Sequence, residues 1–179
     1  MANAILDPTG GTRAVPAGAT VPAPERARLA GATVGLLANT KQNAALFLEE
    51  VGKLLIERYG VAAVVPATKA VFALPVTDEQ LEELAGRCDA VITGVGDCGS
   101  CSASAVADGV AFERRGIPAA VICSDAFIVT ANAMAEVRDA KGYRYTTTAH
   151  PVAVLTPDEV RERAEEAIED IVAILTGRP

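Results

Sequence analysis

Apolar and polar positions alternate along the chain in blocks that predict strands and helices in turn. From residue 32, "TVGLLAN" is a continuous apolar run, as expected for a strand buried on both faces. It is followed by "NAALFLEEVGKLLIERYG", in which Leu48, Val51 and Leu55 share one helical face and Gly60 ends the helix. The pattern therefore predicts a buried strand followed by an amphipathic helix.

The same alternation continues to the C-terminus. Further strands are predicted in "VAAVVPA", "DAVITGVG" and "PAAVICS", and a fifth, without defined edges, in "YRYTTTAHPVAVL". Helices are predicted in "TDEQLEELAGRC", where Thr77 and Gln80 are spaced as a capping box, in "SASAVADGVAFERRG" and in "TANAMAEVRDAKG". The last helix begins with the cap Thr156, Pro157 and Glu159, and its apolar stripe comprises Val160, Ala164, Ile168, Ile171 and Leu175.

Strands that alternate with helices favour a parallel sheet with right-handed crossovers. We predict an α/β fold for residues 32–179, a three-layer, doubly wound, mainly parallel sheet of about five strands (flavodoxin/Rossmann-like), as a single domain. Residues 1–31 are rich in Pro, Gly and Ala and lack periodicity. They are predicted to form an irregular N-terminal arm that packs on the domain or on a neighbouring subunit.

Composition and charge narrow the possible partners. Half of the 179 residues are apolar, and the net charge is −7. Acidity argues against nucleic-acid binding, which needs clustered Lys and Arg. Because no apolar run approaches the roughly 20 residues that span a bilayer, and no export signal is visible, we expect no membrane association and a cytoplasmic location. In that compartment, reduced thiols are the default state of the four cysteines.

Candidate chemistry concentrates where the predicted strands end, which is where ligands bind in open α/β sheets. Three of the four cysteines and the only histidine fall at this edge, so an active site is predicted there. No Gly-x-Gly-x-x-Gly or phosphate-loop motif follows the first strand, so no nucleotide cofactor is indicated. The polar residues at the edge are Asn39, Lys41, Asn43, Lys69, Asp97, Cys98, Ser100, Cys101, Cys123, Ser124, Asp125 and His150.

The octapeptide "GVGDCGSC" carries the strongest chemical signal at this edge. Cys98 is predicted between a strand and a helix, where free amide groups and the helix dipole favour a thiolate. Cys101 lies one helical turn further on, the arrangement of a thiol–disulfide pair. Asp97 and His150 are the candidate acid or base groups. Ser100 and Ser102 are predicted as helix caps.

Several of these residues also have a structural interpretation. Cys-x-x-Cys can be half of a zinc site, but only Cys123 and His150 remain as further ligands, so no metal is predicted. Cys88, and Cys123 as well, can be packing residues. Lys41 and Lys69 can be solvated or can hold a substrate carboxylate. The residues that can be only caps or turn residues are Asn39, Asn43, Ser124, Asp125 and His150.

The motif "GDCGSC", followed by "RRGIPAAVICSDAF", resembles the UGSC-motif family, whose selenium-containing members have selenocysteine at the first position of U-G-S-C. The segments "ILDPTG" and "LLANTKQNA" are similar to the same family, so the resemblance covers nearly the whole chain. It implies that Cys98 occupies the selenocysteine position and Cys101 the partner cysteine. The segments "GIPAAVICS", "TANAM" and "AHPVAVL" are distantly similar to the selenoprotein B subunits of glycine and proline reductase.

These observations lead to a cysteine-dependent enzyme as the main hypothesis. The Cys98 thiolate attacks a small polar substrate, and Cys101 resolves the adduct in thiol-based redox chemistry. No bound cofactor is predicted, and an external thiol reductant is compatible with the chemistry. The candidate substrate-binding residues are Asn39, Lys41, Asn43, Lys69, Ser100, Ser124 and Asp125.

Three alternatives stay open at this stage. The first is non-redox cysteine catalysis, as in a hydrolase, lyase or hydratase, in which Cys101 is a bystander. The second is a subunit that completes its site with another protein, and the third is a thiolate metal-binding module. Ala-rich packing and the N-terminal arm fit a homo-oligomer.

Overall fold

The computed structural model describes residues 28–177, which form a five-stranded sheet with helices on both faces. The strands are β1 (Thr33–Ala38), β2 (Ala63–Thr68), β3 (Ala90–Gly96), β4 (Ala119–Ser124) and β5 (Thr146–Thr148). The helices are α1 (Ala44–Tyr59), α2 (Asp78–Arg87), α3 (Gly99–Arg114), α4 (Ile128–Val137) and α5 (Pro157–Thr176). Residues 1–27, most of the predicted arm, lie outside the described residues.

All four strand pairs are parallel, and the strand order is β2-β1-β3-β4-β5. This is the doubly wound, flavodoxin-like order, and it confirms the predicted fold class. Helices α1 and α5 pack on one face of the sheet, and α2, α3 and α4 on the other. The order reverses between β1 and β3, and the carboxyl edge at such a reversal is where folds of this type bind ligands.

The central strands are the most deeply buried part of the fold. Every residue of β3 and β4 is buried, which explains why their sequences are apolar without alternation. By contrast, the outer strand β5 has only three residues, all threonine. Because so short a polar strand has no apolar pattern, its first and last residues could not be predicted from the sequence. The helix predicted in "TANAMAEVRDAKG" begins earlier, at Ile128, and ends at Val137.

The predicted helix ends are largely confirmed by local hydrogen bonds. Thr156 and Glu159 form the complete capping box of α5, with Pro157 in its first turn. In α2 only half of the predicted box forms: Thr77 accepts from the Gln80 amide, whereas the Gln80 side chain donates to the Thr68 carbonyl and does not accept from the Thr77 amide. Among residues 28–177, no helix combines the length and the apolar character needed to cross a membrane.

Two helical glycines differ in the space around them. A Cβ at Gly109 in α3 would overlap the Tyr143 hydroxyl and the Val121 side chain, whereas one at Gly86 in α2 would meet no atom within 4 Å. Gly109→Ala is therefore expected to lower the free energy of unfolding by about 1–3 kcal/mol through overpacking. Gly86→Ala, the matched control, is expected to raise it by up to about 1 kcal/mol through helix propensity. Urea denaturation of both variants checks the pair, and equal effects would contradict the packing.

Glu113 makes the stability of the domain depend on pH. Burial raises the pKa of its carboxyl to about 7, against a weaker opposing hydrogen bond from Tyr143. The folded state thus holds this proton more tightly than the unfolded chain does. The resulting stability is fully present below about pH 4.5, the ordinary value, and is lost as the pH rises to 7. Denaturation at several pH values should show this loss in the wild type and a flatter profile in Glu113→Gln; identical profiles would refute the assignment.

Candidate active site

The site is built around the junction between β3 and α3. Cys98 occupies the N-cap of α3 in an extended conformation, and its Sγ accepts a hydrogen bond from the Cys101 amide at 3.2 Å. A disulfide joins Cys98 to Cys101, whose Cα atoms are 5.1 Å apart. The sulfur therefore takes the place that a serine oxygen usually has at the start of a helix.

The prediction that Ser100 and Ser102 cap this helix is wrong. Because α3 begins at Gly99, three residues before the predicted segment begins, Ser102 already lies inside the helix. Its hydroxyl donates to the carbonyls of Gly96 and Cys98, at 3.0 and 2.7 Å. Ser100 is exposed, and its Oγ lies 3.5 Å from the Cys98 Sγ. Ser100 thus remains beside the disulfide, and its substrate-binding role stays a prediction.

The two sulfur-bearing residues differ in exposure. Cys101 is fully buried, while Cys98 is only half-buried. A nucleophile from solvent therefore reaches the disulfide at Cys98, since access decides which sulfur is attacked. Exchange at Cys98 would release Cys101 as the leaving thiolate.

Gly96 allows this tight junction. A Cβ at Gly96 would lie 2.8 Å from both the Cys123 Sγ and the Ser102 Cα. No side chain fits in that space, so the end of β3 lies directly against β4 and the first turn of α3. The backbone around Cys98 is held in place by this close packing.

Asp97 is the most heavily hydrogen-bonded side chain of the site. Its Oδ1 accepts from the Ser124 hydroxyl at 2.8 Å and lies 2.9 Å from the His150 Nδ1. Its Oδ2 accepts from the amides of Val152 and Ala153, both at 3.0 Å. The side chain is 4% exposed. These contacts let Asp97 position the groups around it, and its role as an acid or base stays a prediction.

His150 lies on a loop, residues 149–155, that we call the histidine loop. Besides Asp97, two side chains hold this loop in place. The Asp125 carboxylate accepts from the His150 amide, and the Asn43 side chain donates to two carbonyls of the loop. The His150 ring also lies edge-on to Phe127, with ring centroids 5.3 Å apart. Because Nδ1 donates to Asp97, Nε2 is the nitrogen that can act on a ligand. The His150 side chain is 38% exposed.

The residues predicted after β1 lie at the same edge. Asn39 is buried; its side chain donates to the Val95 carbonyl and accepts from the Lys41 amide, so it joins the ends of β1 and β3. Lys41 is half-buried, with its ammonium 4.8 Å from the centre of the Phe72 ring. Asn43 stands at the N-cap of α1, but its side chain makes no capping hydrogen bond. Its amide group donates to the histidine loop instead. Substrate binding by these residues stays a prediction.

Lys69 is not solvated, contrary to one of its two predicted interpretations. It is 3% exposed, and its ammonium lies 2.5 Å from the Asp108 carboxylate and 2.6 Å from the Ser104 hydroxyl. Burial acts to raise the pKa of Asp108, against the opposing effect of the Lys69 charge. In this structure, the ammonium is engaged within the protein, so a direct contact with substrate would require it to leave Asp108.

Sequence reasoning missed Asp108 and Ser104. Asp108 could have been found because it is an acidic residue within "SASAVADGVAF", a segment of small and apolar residues that predicts burial. A buried carboxylate requires a cationic partner, so a nearby Lys or Arg would have been expected. Sequence reasoning also missed the two backbone amides that donate to Asp97, because a backbone contact cannot be predicted from the type of side chain.

Cys88 and Cys123 are free and buried, in agreement with their packing interpretation. Burial raises the pKa of the Cys123 thiol to about 12, against a hydrogen bond with Ser102, and burial also raises that of Cys88. Within residues 28–177, no three or more His, Cys, Asp or Glu side chains are grouped so as to hold a metal ion. The absence of a bound cofactor stays a prediction.

Comparisons with known proteins give a match over nearly the whole chain. The sequence model described as the UGSC family matches residues 4–177. No curated protein matches the chain. Among solved structures, the chain is similar to one described as the crystal structure of an ABC transporter permease from the Pseudomonas fluorescens group, at 21% identity and a TM-score of 0.37. That match covers 79% of this chain but only 32% of the other. The distant likeness to selenoprotein B subunits stays a prediction.

The differences in burial lead to a specific order of thiol reactivity. After reduction with dithiothreitol under native conditions, iodoacetamide at pH 8 should label Cys98 first. Cys88 and Cys123 should stay unlabelled until the protein is unfolded, because their neutral, buried thiols are poor nucleophiles. Peptide mass spectrometry over time checks the order. Labelling of Cys123 as fast as Cys98 would contradict it.

Proposed function

The chain belongs to the UGSC family, and on this premise we propose that it is a thiol-dependent oxidoreductase acting on a small polar substrate. The observation that carries the proposal is the pairing of a half-buried Cys98 with a fully buried Cys101 at the start of α3. One sulfur can meet a substrate while the other can only react within the protein. An attacking cysteine and a resolving cysteine differ in this way: the first reacts with the substrate, and the second reacts with the first.

In the reduced protein, Cys98 is the attacking group. Its thiolate lies at the N-terminus of α3, where the Cys101 amide donates to sulfur and the helix dipole favours negative charge. Attack on an electrophilic sulfur, nitrogen or carbon forms a bond from Cys98 to the substrate. The leaving group departs with the bonding electron pair and takes up a proton.

Cys101 then completes the reaction. Its thiolate attacks Cys98 Sγ, the Cys98–Cys101 bond forms, and the rest of the substrate leaves with an electron pair and a second proton. Two electrons and two protons have then passed from the dithiol to the substrate. A thiol reductant must restore the dithiol before the next cycle.

His150 is the group suited to supply the proton. Asp97 holds its Nδ1, which leaves Nε2 directed away from that contact and available to a leaving group. The exposure of the imidazole, 38%, is compatible with proton exchange with solvent. Asp97 acts in this scheme as a positioning residue.

The Asp97–His150 pair also suits a second candidate, non-redox cysteine catalysis by a hydrolase or lyase. In that reaction, His150 serves Cys98 as a base, and Cys101 takes no covalent part. The two candidates therefore differ in what the loss of Cys101 does.

Reaction of the reduced protein with 5,5′-dithiobis(2-nitrobenzoate) separates them. In wild type, Cys98 should release one thionitrobenzoate and Cys101 a second, leaving the Cys98–Cys101 disulfide. Cys101→Ser should release only one and keep a stable mixed disulfide at Cys98. Cys98→Ser should react at least about tenfold more slowly, because the remaining sulfur is buried.

Cys88→Ala is the control and should behave as wild type, since Cys88 is buried away from the site. A wild-type protein that stops at one equivalent and keeps its adduct would overturn the redox proposal and favour the second candidate. Absorbance gives the stoichiometry, and intact mass gives the adduct.

A further inference from the structure

Exposed apolar side chains gather at the edge of the sheet that carries the disulfide. Of the eight large apolar side chains that are exposed among residues 28–177, six lie on loops or helix starts that follow β2, β4 and β5. The other two are Ile56, within α1, and Val137, the last residue of α4. We call the six the apolar rim: Val71, Phe72, Leu74, Ile128, Val129 and Val154.

Contacts place the rim on several sides of the disulfide. The loop after β2 sits on α3, because the Ser104 hydroxyl donates to the Leu74 carbonyl at 2.6 Å. The first turn of α4, with Ile128 and Val129, borders the start of α3, since a Cβ at Gly99 would lie 3.9 Å from the Thr130 hydroxyl. Val154 follows Ala153, whose amide binds Asp97. Three separate segments thus bring exposed apolar side chains to the edge of the sheet where Cys98 lies.

We propose that the apolar rim is the docking surface for a dithiol protein that reduces the Cys98–Cys101 disulfide. This inference rests on the redox function proposed above and names its electron donor. Exposed apolar side chains that gather in one region of a surface mark a site of protein contact. The rim borders the junction that carries a disulfide with one half-buried sulfur, so a partner that binds there can present a thiolate to Cys98.

Charge favours a different protein over a second copy of the chain. The six rim side chains are uncharged, and Lys41, stacked on Phe72, adds a positive charge beside them. The chain as a whole carries −7. Two copies would bring equal net charges and two Lys41 ammonium groups to one interface, which disfavours their contact. An apolar protein face with acidic residues at its margin complements both the rim and Lys41.

The exchange balances with the partner as reductant. One partner thiolate attacks Cys98 Sγ, the Cys98–Cys101 bond breaks, and Cys101 leaves with the electron pair and takes up a proton. The second partner thiol then attacks its neighbour in the mixed disulfide and releases Cys98. The partner ends as a disulfide, and two electrons and two protons have passed to Cys98 and Cys101.

Helix α4 offers a matched pair of variants for the test. Val129 is 81% exposed in the rim, and Val137 is 73% exposed at the other end of the same helix. We would measure reduction of the oxidised protein by a bacterial thioredoxin that is regenerated by its reductase and NADPH, and separately by dithiothreitol. The variants are Val129→Asp, Leu74→Asp and the control Val137→Asp.

Wild type should be reduced faster by thioredoxin than by dithiothreitol at equal concentration. Val129→Asp and Leu74→Asp should slow the thioredoxin reaction about tenfold or more, as loss of a docking contact does, and leave the dithiothreitol rate unchanged. Val137→Asp should alter neither rate. Circular dichroism confirms that the variants are folded.

Each other outcome overturns the inference. Thioredoxin that is no faster than dithiothreitol, or rim variants that slow both reductants alike, would show that the rim does not dock the donor. A Val129→Asp variant with a changed sedimentation coefficient would assign the rim to contacts between copies of this chain. All of these leave the proposed function intact; that function fails instead if Cys101→Ser and wild type give the same stoichiometry of thionitrobenzoate.

Discussion

The arrangement of the site depends on one buried carboxylate, that of Asp97. It follows β3 directly and precedes Cys98, and its four hydrogen-bond partners come from Ser124 and the histidine loop. A carboxyl group that is 4% exposed needs such partners to offset the loss of its hydration. The contacts with the histidine loop therefore stabilise the end of β3. Folding thereby brings His150 to the same junction that carries the disulfide.

The same junction makes the two cysteines unequal. Packing at Gly96 and the hydrogen bonds of Ser102 fix the first turn of α3, with Cys101 inside and Cys98 at the surface. A thiol outside can then reach only one sulfur. The similarity of "GDCGSC" to the U-G-S-C motif implies that Cys98 stands where other members of the UGSC family have selenocysteine, which is more reactive than cysteine. The geometry and the family motif thus support the attacking role that we propose for the same residue.

The sequence predicted the fold and the location of the site better than the contacts within it. Continuous apolar runs identified the buried strands, and the caps at Thr156 and Gly60 identified helix ends, because these signals are local. The pairing of Lys69 with Asp108 escaped prediction, since it joins residues far apart in the chain. The capping role of Cys98 escaped it too, because the nearby serines are the usual cap residues and the predicted segment began at Ser102, three residues after the start of α3.

The central claim is that Cys98 and Cys101 form a reversible redox couple set apart from the other thiols. A redox titration of the purified protein in dithiothreitol buffers of graded ratio, with quenching and peptide mass spectrometry, tests it most directly. The account predicts one reversible two-electron transition confined to Cys98 and Cys101, with Cys88 and Cys123 remaining thiols throughout. A pair that stays reduced under all ratios, or a transition that draws in Cys123, would contradict it.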